Sequence, residues 1–199
     1  MRIADAQRDV RTTFLGGFAG QLVSAVVWAS SAALATWGST RAGIMALVLG
    51  GMFIFPLTLL TLRAMGRPAG LPSGHPMNGL GFQAAIALPL MLPVIAGAAL
   101  YRVEWFYPAF MVALGAHYLP FVFLYGMRMF GVLAGVLVGA GVALGLYAPP
   151  GHPSAAAWLT AAVLLGFAVL GRMLVGREGL REARMGKADA PMGRMRPRA

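Results

Sequence analysis

Long apolar runs alternate with short polar breaks along most of this chain. A membrane-spanning helix needs about twenty consecutive, largely apolar residues. Six runs meet that requirement: Phe14–Trp37, Ala42–Leu62, Leu80–Tyr101, Trp105–Tyr125, Met129–Tyr147 and Ala155–Val175. The expected fold class is therefore all-α, a polytopic membrane protein with six transmembrane helices in one bundle over residues 1–175. The longest break, Arg63–Gly79, carries GRPAGLPSGHPMNG, whose Gly and Pro punctuation predicts a solvated turn. Beyond Val175 the apolar period stops. GREGLREARMGK can prolong the last helix, with Glu178 and Arg181 three residues apart. DAPMGRMRPRA reads as disordered, so residues 176–199 make a basic tail.

Charge supplies an orientation. Six spans put both termini on one side. On that side fall Arg2, Arg8, Arg11, Arg63, Arg67, Arg128 and the eight basic residues from Arg172 onward, against Arg41 and Arg102 on the other. Basic residues mark the cytoplasmic face, so both termini are expected in the cytoplasm. The tail is expected to meet anionic lipid headgroups. A basic start, an apolar run and Ala33-Leu34-Ala35 loosely imitate a cleavable signal peptide. Gly16, Gly17, Gly20 and Gln21 interrupt that run, and a retained first helix is the expectation.

Composition agrees. Hydrophobic residues make up 59% of the chain and charged residues 11%, where soluble domains carry about 45–50% and about 25%. The lipid bilayer is thus the first partner. The net charge of +10 lies at termini and loops, without a basic face interleaved with aromatics, so nucleic acid is not an expected partner. With no cysteine, thiolate chemistry is excluded. Arginine occurs fifteen times and lysine once, which hints at a GC-rich bacterial genome.

In a bilayer every polar group needs a partner, so polar residues inside the spans are the informative ones. Gln21 and Gln83 both lie toward the terminus side, where they can face each other across a helix pair or line a polar cavity. His117 is the ionisable residue within the hydrocarbon region, and no Asp or Glu lies in a span to pair with it. A carboxylate–histidine relay is therefore unsupported, and the histidine is either packing or functional. Pro120 removes the amide that would pair with the Ala116 carbonyl, leaving a polar notch beside His117 and Tyr118. Pro56, Pro89 and Pro93 are further candidate kinks. His117, Tyr118, Gln21 and Gln83 together make the candidate polar cavity.

At the far edge, RVEWFYP predicts an interfacial belt, with Trp105, Phe106 and Tyr107 at headgroup depth and Arg102 paired with Glu104. Tyr125 and Arg128 are expected to mark the opposite interface. Gly131, Gly135 and Gly139 form a small-residue stripe for helix packing, within the chain or against a second copy in a homo-oligomer. The two GHP tripeptides, at 74–76 and 151–153, fall on opposite sides and read as turns. No HExxH, phosphate-cradling glycine loop or GxSxG is present, so neither a catalytic set, a metal site nor a cofactor is expected.

DAQRD (Asp5–Asp9), LGGFAG (Leu15–Gly20), Ser24, Trp28, GGMFIFPL (Gly50–Leu57), EWFYP (Glu104–Pro108), GAHYL (Gly115–Leu119) and LYGMR (Leu124–Arg128) carry a resemblance. Over residues 1–147 the chain resembles a family of small, uncharacterised bacterial multi-span membrane proteins known as a domain of unknown function. The resemblance implies architecture, with no substrate and no catalytic residues to carry over, and the expected location is a bacterial inner membrane. Two functions stay open: a small permease- or channel-like protein, and a non-transporting structural or regulatory membrane subunit. An enzyme is not expected.

Overall fold

A computed structural model of the chain describes residues 1–147 and 154–188. The second GHP tripeptide and the stretch 189–199, expected to be disordered, lie outside the described residues. Seven α-helices and no strand occur among the described residues. They are α1 (Ile3–Thr13), α2 (Phe18–Trp37), α3 (Thr40–Ala64), α4 (Asn78–Tyr101), α5 (Phe106–Tyr125), α6 (Met129–Tyr147) and α7 (Ala155–Ala188). Helices α2 to α7 are each long and apolar enough to cross a membrane. The protein is thus an all-α, multi-pass membrane protein.

Helix α1 is not among the elements expected from sequence. It is short and charged, with Ala6 and Val10, one turn apart, buried on its inner face. Between α1 and α2 the chain reverses through three successive left-handed residues, Leu15 (φ 52°), Gly16 (φ 65°) and Gly17 (φ 84°). Glycine occupies two of these three because L side chains disfavour that region. Gly16 also touches α7: a Cβ there would stand 2.7 Å from the Gly171 carbonyl oxygen, and one at Gly171 would stand 2.5 Å from that of Gly16. The reversal lays α1 across the end of the bundle that carries the amino terminus, called here the terminus end.

Helices α2 and α5 form the interior pair. Helix α2 packs between α3 and α7, while α5 packs on α4 and α6 and touches α7. The most apolar windows of α2 and α5 are each 44% buried, against 11% for α3 and α4. Those two outer helices therefore turn most of their surface outward from the bundle, with Met52, Phe53 and Phe55 of α3 and Leu90 and Val94 of α4 exposed. Leu47 of α3 and Ile95 of α4 point inward and are buried. Pro56, Pro89, Pro93 and Pro120 all lie within continuous helices.

At the two edges, Phe106 and Tyr107 are buried against the protein, as is Tyr125 at the other end. The reason is helical periodicity. Tyr107, Met111, Leu114 and Tyr118 recur at three- to four-residue spacing on one buried face of α5, and Tyr125 follows seven residues later on the same face. Phe121 packs partly buried beside them and stacks on Tyr125 at 5.7 Å. Arg102 and Glu104 are a half-exposed pair at 4.0 Å, with Arg102 also 5.7 Å over the Trp105 ring. Such a surface pair adds little stability.

The loop from Met65 to Met77 is more than a solvated turn. The His75 side chain is 5% exposed, its Nε2 stands 3.5 Å from Asp9 of α1, and its Nδ1 accepts a hydrogen bond from the Met77 amide at 3.2 Å. The first GHP therefore anchors the loop beneath α1.

Candidate functional site

The inner face of α2 presents Gln21, Ser24, Trp28 and Ser31, spaced at three and four residues and all buried. That spacing keeps them on one stripe directed into the bundle. At its far end the stripe is fully paired. Ser31 Oγ donates to the Gly43 carbonyl of α3 at 2.8 Å and lies 2.8 Å from the Tyr107 hydroxyl of α5. With the serine proton on Gly43, the tyrosine is the donor to Ser31. Gly43 makes this junction possible, because a Cβ there would stand 2.5 Å from the Tyr107 hydroxyl and 2.7 Å from the Ser31 carbonyl. Trp28 closes the stripe from above, edge-on to Phe110 at 5.2 Å.

The other end is not paired. Gln21 is 2% exposed, and neither its Oε1 nor its Nε2 has a hydrogen-bond partner. Seven residues separate it from Trp28, about 10 Å along the helix axis. Since Trp28 meets Tyr107 and Phe110, the same distance along antiparallel α5 brings Gln21 level with the turn from Leu114 to His117. There His117 packs beside Tyr118 and Phe121, with ring centroids at 5.5 and 5.1 Å, and lies against the Ala84 backbone of α4. Its Nδ1 is buried without a partner. Tyr118 is buried and stacks on Phe130 of α6 at 6.1 Å.

Three members of the expected cavity thus share one depth on α2 and α5. Gln83 does not join them. It is exposed on α4, beside the inward Ala84, and α2 and α4 are not packed neighbours, so no Gln21–Gln83 hydrogen bond forms.

The glycine stripe also changes meaning. Nothing lies within 4 Å of a Cβ built at Gly135 or Gly139, and Gly131 has ordinary contact with Val122 at 3.5 Å. The close α5–α6 approach is made instead by Gly115 against Ala134 and Val138, and by Gly141 against Pro108 and Val112. The stripe faces outward from the chain's own bundle.

At the terminus end, α1 is tied down by three side-chain contacts. Gln7 donates to the Phe123 carbonyl at 2.6 Å, Arg11 donates to the Tyr125 carbonyl at 2.8 Å, and Arg11 grips Glu178 of α7 at 2.8 and 3.2 Å. Beside this tie lies a cavity of about 460 Å³, bordered by α1, the α3–α4 loop and α7. Among the described residues no three His, Asp or Glu side chains cluster as metal ligands.

No curated protein and no solved structure matches the chain. A family model described as a family of unknown function, DUF7010, matches residues 3–173, and the chain belongs to that family.

Proposed function

We propose that this member of the DUF7010 family is a small permease-like protein of a bacterial inner membrane, with both termini cytoplasmic. Its polar path runs past Gln21, His117 and Tyr118. The observation that carries this reading is the Gln21 amide, 2% exposed with both polar atoms unpaired. A buried polar group without a partner costs about 1–3 kcal/mol, and a bilayer supplies no water to relieve it. A polar solute or water entering the bundle supplies the missing partners. His117 Nδ1, also unpaired and at the same depth, is the second contact. The basic residues at the terminus end support the orientation.

A second reading, a non-transporting structural or regulatory subunit, draws on different surfaces. The outward Gly135 and Gly139 and the lightly buried α3 and α4 offer faces to the helices of another membrane protein or of a second copy.

The absence of cysteine permits a direct test. Gln21→Cys and His117→Cys are each exposed in oriented vesicles to a membrane-impermeant thiol reagent from either side, with Leu133→Cys as the buried apolar control. The expected result is labelling at 21 and 117, slowed by transported solutes, and none at 133. Folded variants that resist the reagent at both positions would defeat the permease reading and leave the subunit reading in its place.

A further inference from the structure

The seam between α2 and α5 is closed in its far half by aromatic rings. Trp28 of α2 is buried and meets α5 edge-on at Phe110, 5.2 Å away, and at a tilt at Tyr107, 6.2 Å away. Phe106 completes the cluster, 5.2 Å from Tyr107 and 5.8 Å from Phe110. Helices α2 and α5 meet through side chains such as these, with little close approach of their backbones. The width of the seam is therefore set by what fills it, and a swing of the rings would open it. One polar contact joins the cluster to its surroundings: the Tyr107 hydroxyl donates to Ser31, which in turn holds the Gly43 carbonyl of α3. A neutral hydrogen bond adds only a modest net stability, so this latch can release and close again.

The near half has a different lining. Gln21 is buried and leaves both a donor and an acceptor unpaired, whichever way its amide is turned. Ser24, buried between Gln21 and Trp28 on the same stripe, adds a hydroxyl. His117 Nδ1, unpaired at the same depth, is a further hydrogen-bonding atom. Neither α2 nor α5 carries an Asp, Glu, Lys or Arg. An ion stripped of its water would meet no such countercharge along the seam, and burying it there is costly. An uncharged solute avoids that cost, and one with both a donor and an acceptor satisfies both atoms of the Gln21 amide.

We propose that the path past Gln21 carries small uncharged solutes that both donate and accept hydrogen bonds, and that the cluster of Trp28, Tyr107 and Phe110 is its gate on the far side. The inference rests on the permease reading and adds to it a substrate class and a closing device. The structure holds the gate shut, with Tyr107 fully buried and the rings standing between Gln21 and the far surface. Because Ser31 binds Tyr107 and Gly43 together, release of the tyrosine frees α5 from the α2–α3 pair at that level.

The test uses full-length protein in proteoliposomes, with volume change after osmotic shock followed by light scattering. The probes are urea and erythritol, with sodium chloride as the ionic comparison. The expected result is entry of both uncharged solutes faster than into protein-free liposomes, with no gain for sodium chloride. Tyr107→Phe removes the latch and keeps the ring, so passage should quicken about fivefold, the equivalent of one neutral hydrogen bond. Gln21→Leu removes the amide and should slow passage by a similar factor. Should Tyr107→Phe fail to fold, Ser31→Ala on the other helix makes the same comparison. The proposal is overturned if neither solute gains, if sodium chloride gains equally, if a folded latch variant passes solute no faster than the native protein, or if Gln21→Leu passes it as fast. Thiol labelling of Gln21→Cys separates this failure from failure of the permease reading. Position 21 labelled without passage of urea or erythritol overturns the solute and gate assignment alone. Position 21 unlabelled overturns both.

Discussion

At the scale of single residues, the interior of this protein is decided by which polar groups find partners. Ser31, Tyr107 and Gly43 join three helices in one small junction. Tyr107→Phe removes one hydrogen bond and is expected to cost about 1 kcal/mol. Gly43→Ala forces a methyl group against the Tyr107 oxygen and is expected to cost about 1–3 kcal/mol. Combining them should cost less than the sum, because the phenylalanine vacates part of the clash. Recovery is partial, since Ala35 and the Ser31 carbonyl also crowd that Cβ. Unfolding in denaturing detergent measures all three variants, and strict additivity would contradict the junction described. Gln21 and His117 were legible in the sequence because a polar residue inside an apolar run is conspicuous. The inward packing of Tyr107 was not read, because an aromatic near a span end can face either the surroundings or the core. The spacing of Tyr107, Met111, Leu114 and Tyr118 was the signal that marks the buried face.

At the scale of elements, the six long helices were readable because each needs little beyond an unbroken apolar run of sufficient length. Helix α1 was not readable on those terms. It has 11 residues and many charges, too short to hold as an isolated helix in water, and its stability comes from contacts far along the chain. Gln7 reaches residue 123 and Arg11 reaches residues 125 and 178. Arg11→Ala removes three of those hydrogen bonds from a side chain that is 15% exposed. Glu178 is 40% exposed and keeps access to water, so the expected loss is limited to about 1–2 kcal/mol. That corresponds to roughly tenfold faster amide exchange over Ile3–Thr13. Exchange unchanged in α1 would show that Ala6 and Val10 hold the helix by themselves. The loop before α4 was half legible: its turn residues were plain, while the burial of His75 depends on α1, which the pattern did not reveal.

At the scale of the whole molecule, sequence told which segments enter the bilayer but not which of them face it. Apolar runs look alike whether lipid or protein surrounds them, and α3 and α4 are as apolar as the interior helices. The structure predicts that a lipid-soluble photoreactive probe will mark Phe53 and Leu90 heavily and spare Phe130 and Leu133, which are 0% exposed. Equal marking of all four would mean that α3 and α4 are covered by another protein or that the core is open. The tie between α1 and α7 also has a consequence in time. Arg11 is made near the start of synthesis and Glu178 some 167 residues later. The carbonyl partners of α1 at Phe123 and Tyr125 are made well before that, so α1 can first settle on α5 and the Arg11 grip on α7 follows. The first helix made is thus fastened in two stages, and only the second of them requires the final helix.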